Sequence, residues 1–319
     1  MPHPEACITR SMPGHHPARA NRGSIRSVLL SVALACGVAS AMAQTPTLER
    51  GRYLVTTIMA CGNCHTPKDA DGRPVAAKEL AGGGVGFDIP PFAGTAPNIT
   101  PDRETGIGSW SDDEIKRAIT QGVRPDRGPF AGKPLGAPMP VNFYKVLTPT
   151  DLDAVVAYLR SIRPVRNALP PPARLLPVRH EVFPEAARGF AERDLQDKVR
   201  RGAYLATIGH CLECHTPMNQ GVLQYETALG AGGRPFLPSF VKGLPASWKG
   251  AVSRNITSHP EQGLGNWSDA EIKRAITQGI ARDGRRLSPP MGFSSYAGIR
   301  DDDLDAIVAY LRTLPPQPH

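Results

Sequence analysis

One five-residue pattern occurs twice in this chain, as Cys61-Gly-Asn-Cys64-His65 and as Cys211-Leu-Glu-Cys214-His215. It constrains the fold more than any other feature. Two thiols one helical turn apart, followed at once by a histidine, form the attachment pattern of a c-type haem. The thiols add across the two vinyl groups of a porphyrin, and the imidazole lies beneath the ring as an iron ligand. A lone Cys-x-x-Cys would leave a redox dithiol or half a zinc site open. A trailing histidine at both copies closes those readings and predicts two covalently bound c-type haems, with His65 and His215 on the irons. A chain that must wrap two large flat apolar groups needs few aromatics of its own, and only 6% of its 319 residues are aromatic.

The motifs sit in a longer internal repeat. Gly51-Arg-Tyr53-Leu54 returns as Gly202-Ala-Tyr204-Leu205, and Asn98-Ile-Thr100 as Asn255-Ile-Thr257. Trp110 to Gly122 returns as Trp267 to Gly279 with one substitution, and Asp151 to Arg160 returns as Asp303 to Arg312. The offset is 150 residues at the cysteines, 157 at the tryptophans and 152 at the last block, so insertions fall between blocks, where loops belong. The predicted organisation is residues 1–43 as an export signal, 44–162 as a first domain, 163–189 as a Pro-rich linker and 190–319 as a second domain.

Each unit yields three helices, hence an all-α fold class. The first precedes and includes the cysteines, at about 47–63 and 190–213. The second starts at Ser111-x-x-Glu114 and Ser268-x-x-Glu271, both capping boxes. The third opens at Thr148-Pro149, with proline at the first helical position, and buries Leu152, Val155, Val156 and Leu159. Gly- and Pro-rich stretches between motif and second helix read as irregular loops on the haem edge. Ala81-Gly82-Gly83-Gly84 lacks the Lys-Ser/Thr of a phosphate loop and reads as a flexible loop. The prolines of 163–184 predict a semi-extended linker.

A second axial ligand decides whether a haem moves electrons or does chemistry. Met139 and Met291 lie between the second and third helices of their units, 74 residues after His65 and 76 after His215. Flanking prolines lower the entropy lost in fixing their loops. A gap-filling role is the commoner fate of methionine, but equivalent placement favours ligation. Met59 and Met218 lie too close to the motifs to reach the far face, His210 and His259 have no counterparts, and His180 is a weak bis-histidine alternative. Pro67 and Pro217 are expected to offer carbonyls to the outer nitrogens of His65 and His215. No catalytic constellation emerges.

Arg10, Arg19, Arg22 and Arg26, the apolar run Val28 to Met42 and Ala41-Met42-Ala43 spell an export signal cleaved after Ala43. Fifteen apolar residues fall short of the ~20 that span a bilayer, which argues against an uncleaved anchor. The residues before Cys36 fit a lipoprotein signal poorly. Losing the leader lowers the formal charge from +8 to +5, and four haem propionates bring it near neutrality. With basic residues scattered and no interleaved aromatics, nucleic acid is not an expected partner. The asparagines of Asn98-Ile-Thr100 and Asn255-Ile-Thr257 read as structural turns rather than glycosylation sites.

At these residues each repeat resembles the class I cytochromes c. The resemblance implies that the first and last helices cross, with Gly51, Tyr53 and Tyr158, and Gly202, Tyr204 and Tyr310, at the crossings. Asn98-Ile-Thr-Pro-Asp102, Thr105-Gly-Ile-Gly108 and the Trp110-Ser-Asp-Asp-Glu114 helix are similar to the cytochrome c subunits of bacterial periplasmic dehydrogenases for alcohols, gluconate, aldehydes or N-heterocycles. That implies a periplasmic electron-transfer protein with a dehydrogenase as donor. Its acceptor would be a quinone, a small cytochrome or a terminal oxidase, and a partner would mediate any membrane association. Two haem domains are expected here where the alcohol and gluconate types have three, without their C-terminal membrane-binding segment. The alternative is a haem enzyme such as a dihaem peroxidase or thiosulfate-oxidising cytochrome, suggested by the Gly122–Met139 loop, five residues longer than Gly279–Met291. A haem-based sensor is a further alternative, disfavoured because no output domain is read in this sequence.

Overall fold

The computed structural model describes residues 46–178 and 183–318. The export signal read at 1–43 and His180 lie outside the described residues. Chain order in the first half is α1 (46–58), α2 (Cys61–His65), β1 (Gly86–Ile89), β2 (Phe92–Thr95), α3 (Asp112–Gln121), α4 (Val141–Tyr144) and α5 (Pro149–Ser161). After these come β3 (Arg174–Leu175), α6 (Pro184–Arg188), α7 (Lys198–Ile208), α8 (Cys211–Cys214), β4 (Met218–Asn219) and β5 (Val222–Leu223). The chain continues through β6 (Pro235–Phe236), β7 (Val241–Lys242), β8 (Ala251–Val252), α9 (Asp269–Gln278), α10 (Phe293–Tyr296) and α11 (Asp301–Thr313).

The all-α expectation is overturned by these eight strands. Short pieces of the Gly/Pro-rich stretches are extended between turns and bends, and extended backbone must pair its N–H and C=O groups when it is covered. β1 and β2 form an antiparallel hairpin, β3 adds to the free edge of β2, and β7 adds to the free edge of β1. One four-stranded sheet therefore joins both halves. Residues 163–178, expected to be a linker, lie along the first half: Val165 accepts from Asn98 Nδ2 at 2.7 Å, and Arg174 bonds Ile89 O and Asp88. The Gly82-Gly83 loop is tight rather than flexible, since a Cβ on Gly82 would stand 2.6 Å from Asn98 N.

The first helix of each half is also not continuous into the cysteines. In α1 the last turn widens to a π-helix over Leu54–Ile58, where Met59 N donates to Leu54 O at 2.8 Å. Ala60 and His210, at φ 47° and 44°, then break the chain before α2 and α8. These left-handed residues turn the cysteine segments away from the helix axis. In the second half residues 192–196 form a separate 3₁₀ turn, and α7 starts only at Lys198, capped by Asp197.

The second helices start where the capping boxes put them, with Ser111 and Ser268 accepting from the amides of Glu114 and Glu271. The first and last helices cross at closest approach on glycine. A Cβ on Gly51 would lie 1.9 Å from Ala154 O and 2.8 Å from Tyr158 Cβ, and one on Gly202 1.8 Å from Ala306 O. The tyrosines two residues on behave differently, because their hydroxyls leave their own half. Tyr53 donates to Asp303 Oδ2 at 2.8 Å and accepts from Arg300 N. Tyr204 donates to Asp151 Oδ2 at 2.6 Å and accepts from Thr148 N. Each half thus fastens its first helix to the start of the other half's last helix. Leu54, Val55, Ile58, Leu205 and Ile208 are almost fully buried there, each worth about 2 kcal/mol. No helix among the described residues is long and apolar enough to cross a membrane.

Candidate haem sites

Cys61, Cys64, His65 and Met139 line one wall of a cavity of about 1780 Å³, and Cys211, Cys214, His215 and Met291 line another part of the same cavity. All eight residues singled out from the sequence meet there. Cys64 and Cys214, one from each motif, pack against a single small cluster of Val85, Phe236 and Val241. The two attachment segments therefore back onto each other.

Each histidine is oriented by a carbonyl far along the chain. His65 Nδ1 lies 2.7 Å from Pro97 O, and His215 Nδ1 lies 2.6 Å from Arg254 O. A carbonyl only accepts, so Nδ1 carries the proton and Nε2 keeps its lone pair for a metal. The expected partners, Pro67 and Pro217, do not serve; their carbonyls accept from Val75 N and Gln224 N. Burial lowers the pKa of both histidines and so favours the neutral, ligating form. The turn that presents each carbonyl is the repeated Asn-Ile-Thr. Asn98 Oδ1 accepts from Thr100 N and Oγ1, and Asn255 Oδ1 from Thr257 N and Oγ1. Both asparagines are buried and spend their amide nitrogens on Val165 O and Gln317 O.

The methionine segments are tied back to the cysteines. Five residues after each methionine a buried tyrosine reaches the carbonyl two residues before its motif: Tyr144 OH to Met59 O at 3.5 Å, and Tyr296 OH to Gly209 O at 3.4 Å. Sequence reasoning missed this pair, although the equal spacing from Met139 and Met291 was its signal. Among the rivals, Met59 and Met218 also line the cavity, Met218 at its exposed rim. His259 Nδ1 accepts from Glu261 N and Gln262 N as a loop cap, and His210 Nδ1 sits 3.7 Å from Glu213.

The cavity fits a haem in its polar groups as well as its size. Trp110 lines it, and its Nε1 is buried and without a hydrogen-bond partner among the described residues, a donor that a propionate carboxylate could satisfy. Arg124 lines it too, with its guanidinium on the carbonyls of Lys133 and Pro134, and burial pushes its pKa down to about 10. A buried cation is stabilised by an anion, and haem propionates are anions. In the second half Arg234 occupies the wall, donating to Glu213 O at 2.8 Å. Burial pushes the thiols of Cys64 and Cys211 up to about 11, and those of Cys61 and Cys214 to about 12. Apolar walls of this kind suit thioethers better than thiolates.

The family model described as "Cytochrome c" matches the chain twice, over residues 48–163 and 199–315. The chain is similar to the fructose dehydrogenase cytochrome subunit of Gluconobacter japonicus, at 30% identity over 86% of this chain and 54% of that protein. It is also similar to the gluconate 2-dehydrogenase cytochrome c subunit of Pantoea cypripedii, at 29% identity over 91% of this chain and 65% of that protein. A third relative, described as "Diheme cytochrome c-type" and from Cereibacter sphaeroides, is 27% identical over 80% of this chain and 82% of its own length. The chain spans between half and two-thirds of the length of the first two.

Proposed function

The chain belongs to the cytochrome c family and carries two c-type haems, and we propose that it relays electrons from a dehydrogenase to a respiratory acceptor. The observation that carries this reading is that both haem motifs, Met139 and Met291 line one continuous cavity. His65 with Met139 and His215 with Met291 are the proposed axial pairs, and the two cysteine pairs are the attachment points. A haem so ligated exchanges one electron at a raised potential and leaves no open coordination position. Around it the protein holds geometry. Pro97 and Arg254 fix the imidazoles, Tyr144 and Tyr296 tie the methionine segments to the motifs, and the apolar walls exclude water.

The donor is proposed to be a dehydrogenase acting on a sugar, sugar acid or alcohol, because relatives with those names match nearly the full chain. The acceptor is proposed to be a quinone, a small cytochrome or a terminal oxidase, and the protein to work in the periplasm after cleavage at Ala43. Low-temperature EPR of the oxidised protein with near-infrared magnetic circular dichroism tests the ligation. Two low-spin irons, each with a thioether charge-transfer band, are expected. A high-spin or bis-histidine signal from either haem overturns the paired-methionine ligation, and a high-spin signal with peroxide turnover would favour the haem-enzyme reading.

A further inference from the structure

Met291 sits in Ser288-Pro289-Pro290-Met291-Gly292. Proline has no N–H, so the two residues before the methionine offer the protein only their carbonyls as backbone handles. Both are taken. Trp248 Nε1, from the same half, donates to Pro289 O at 3.0 Å. Asn63 Nδ2, from between the haem cysteines of the other half, donates to Pro290 O at 2.9 Å. The amide of Asn63 has a defined orientation, because Lys68 Nζ donates to its Oδ1 at 3.1 Å. An ammonium only donates and a carbonyl only accepts, so oxygen faces Lys68 and nitrogen faces Pro290. The approach is close on both sides: a Cβ on Gly292 would meet Ala60 Cβ at 3.5 Å and Asn63 Nδ2 at 3.8 Å.

We infer that Asn63, part of the first haem's attachment motif, positions Met291 on the second iron, so that the first site sets the ligand strength of the second. The inference rests on the proposed ligation by Met291. The second motif has no amide donor at the equivalent position. Glu213 stands there instead.

The test uses the full haem-loaded protein. Asn63→Ala removes the donor, and Asn63→Asp replaces it with an acceptor while keeping the shape. Trp248→Phe removes the indole donor that Pro289 O and Ser288 Oγ share, leaving Ser288 Oγ on Pro289 O at 3.2 Å. Displacement of the thioether by added imidazole is titrated through the charge-transfer band of each oxidised haem, and both midpoint potentials are read by spectroelectrochemistry. Met139→Ala assigns the first haem's band by its loss. One neutral hydrogen bond corresponds to about two- to twelvefold in an equilibrium constant, so each Asn63 variant is expected to tighten imidazole binding at the second haem by a factor in that range. Its potential should fall, and the gain in imidazole affinity should be larger at the second haem than at the first. Trp248→Phe should act on the same haem. Two thioether bands in the unsubstituted protein, with the second unmoved in both Asn63 variants, overturn this inference alone. Absence of a thioether band from the second haem in the unsubstituted protein overturns the ligation by Met291 and the inference together.

Discussion

Replacing Tyr53 by Phe removes one oxygen and leaves the ring, so packing and the Arg300 guanidinium 4.3 Å above the ring face are retained. What goes is the hydroxyl that meets Asp303 Oδ2 at 2.8 Å. Burial, and then the charge of Asp303, push that hydroxyl's pKa well up, so it is a donor throughout the neutral range. Asp303 is nearly buried, and its other charged partner, Arg201 Nε, stands 3.5 Å away. A hydrogen bond to a charged group contributes about 1.5–3 kcal/mol, and the upper end applies where the remaining partner is distant. The matching substitution Tyr204→Phe deprives Asp151, which keeps two bonds of 2.7 Å from Arg50, and falls near the lower end. Urea unfolding of the haem-loaded protein, followed by circular dichroism, measures both. The expected costs are ~3 kcal/mol for Tyr53→Phe and ~1.5 kcal/mol for Tyr204→Phe. A cycle with Asp303→Asn should return a coupling above about 1 kcal/mol for the first pair. A Tyr53→Phe cost below about 0.5 kcal/mol, or the reverse ranking, refutes the claim that these hydroxyls fasten the halves.

Gly202→Ala places a methyl 1.8 Å from a backbone oxygen, which only separation of α7 from α11 can relieve. A loss of at least ~3 kcal/mol is expected, at the top of the overpacking range, and thermal melts should show it. Gly284→Ala, with open space around its Cβ, should cost only the left-handed strain, ~1 kcal/mol. The backbone N–H of Ser111 donates to Glu114 at 2.7 Å and holds its carboxyl below the usual range, helped by Arg127. A depressed folded pKa adds stability above the ordinary value of about 4.3, lost as pH falls through the folded one. Glu114→Ala should therefore destabilise at pH 7, with the difference gone near pH 2. A pH-independent difference would refute the cap's ionic part.

What was legible in the chain was what is encoded locally. Ser111 with Glu114, and Thr148 before Pro149, carry their caps within four residues, and the helices start there. The cysteine motifs carry their chemistry in five residues. Strands of two to four residues leave no periodicity to read, and glycine and proline around them mimic irregular loop, so the sheet went unseen. The histidine partners were misjudged for a different reason. Pro67 and Pro217 are near in sequence, whereas Pro97 and Arg254 arrive from 32 and 39 residues away, on a turn whose repeated Asn-Ile-Thr was visible but whose target was not. Trp110 stood out only as a repeat marker; its unpartnered indole nitrogen appears when the cavity is formed. Tyr53 fitted a contact inside its own half because a repeat says nothing about which copy a side chain touches.

Two domains on one chain ordinarily swing against each other. Here β7 is hydrogen-bonded along β1, with Asp88 N also donating to Phe240 O at 2.8 Å, so backbone amides rather than adaptable side chains set the relative pose. An electron passing between haems held by such a sheet waits for no hinge to close. Its transfer rate should therefore be indifferent to solvent viscosity, and surface substitutions that retune the docking of outside proteins should leave that internal step untouched.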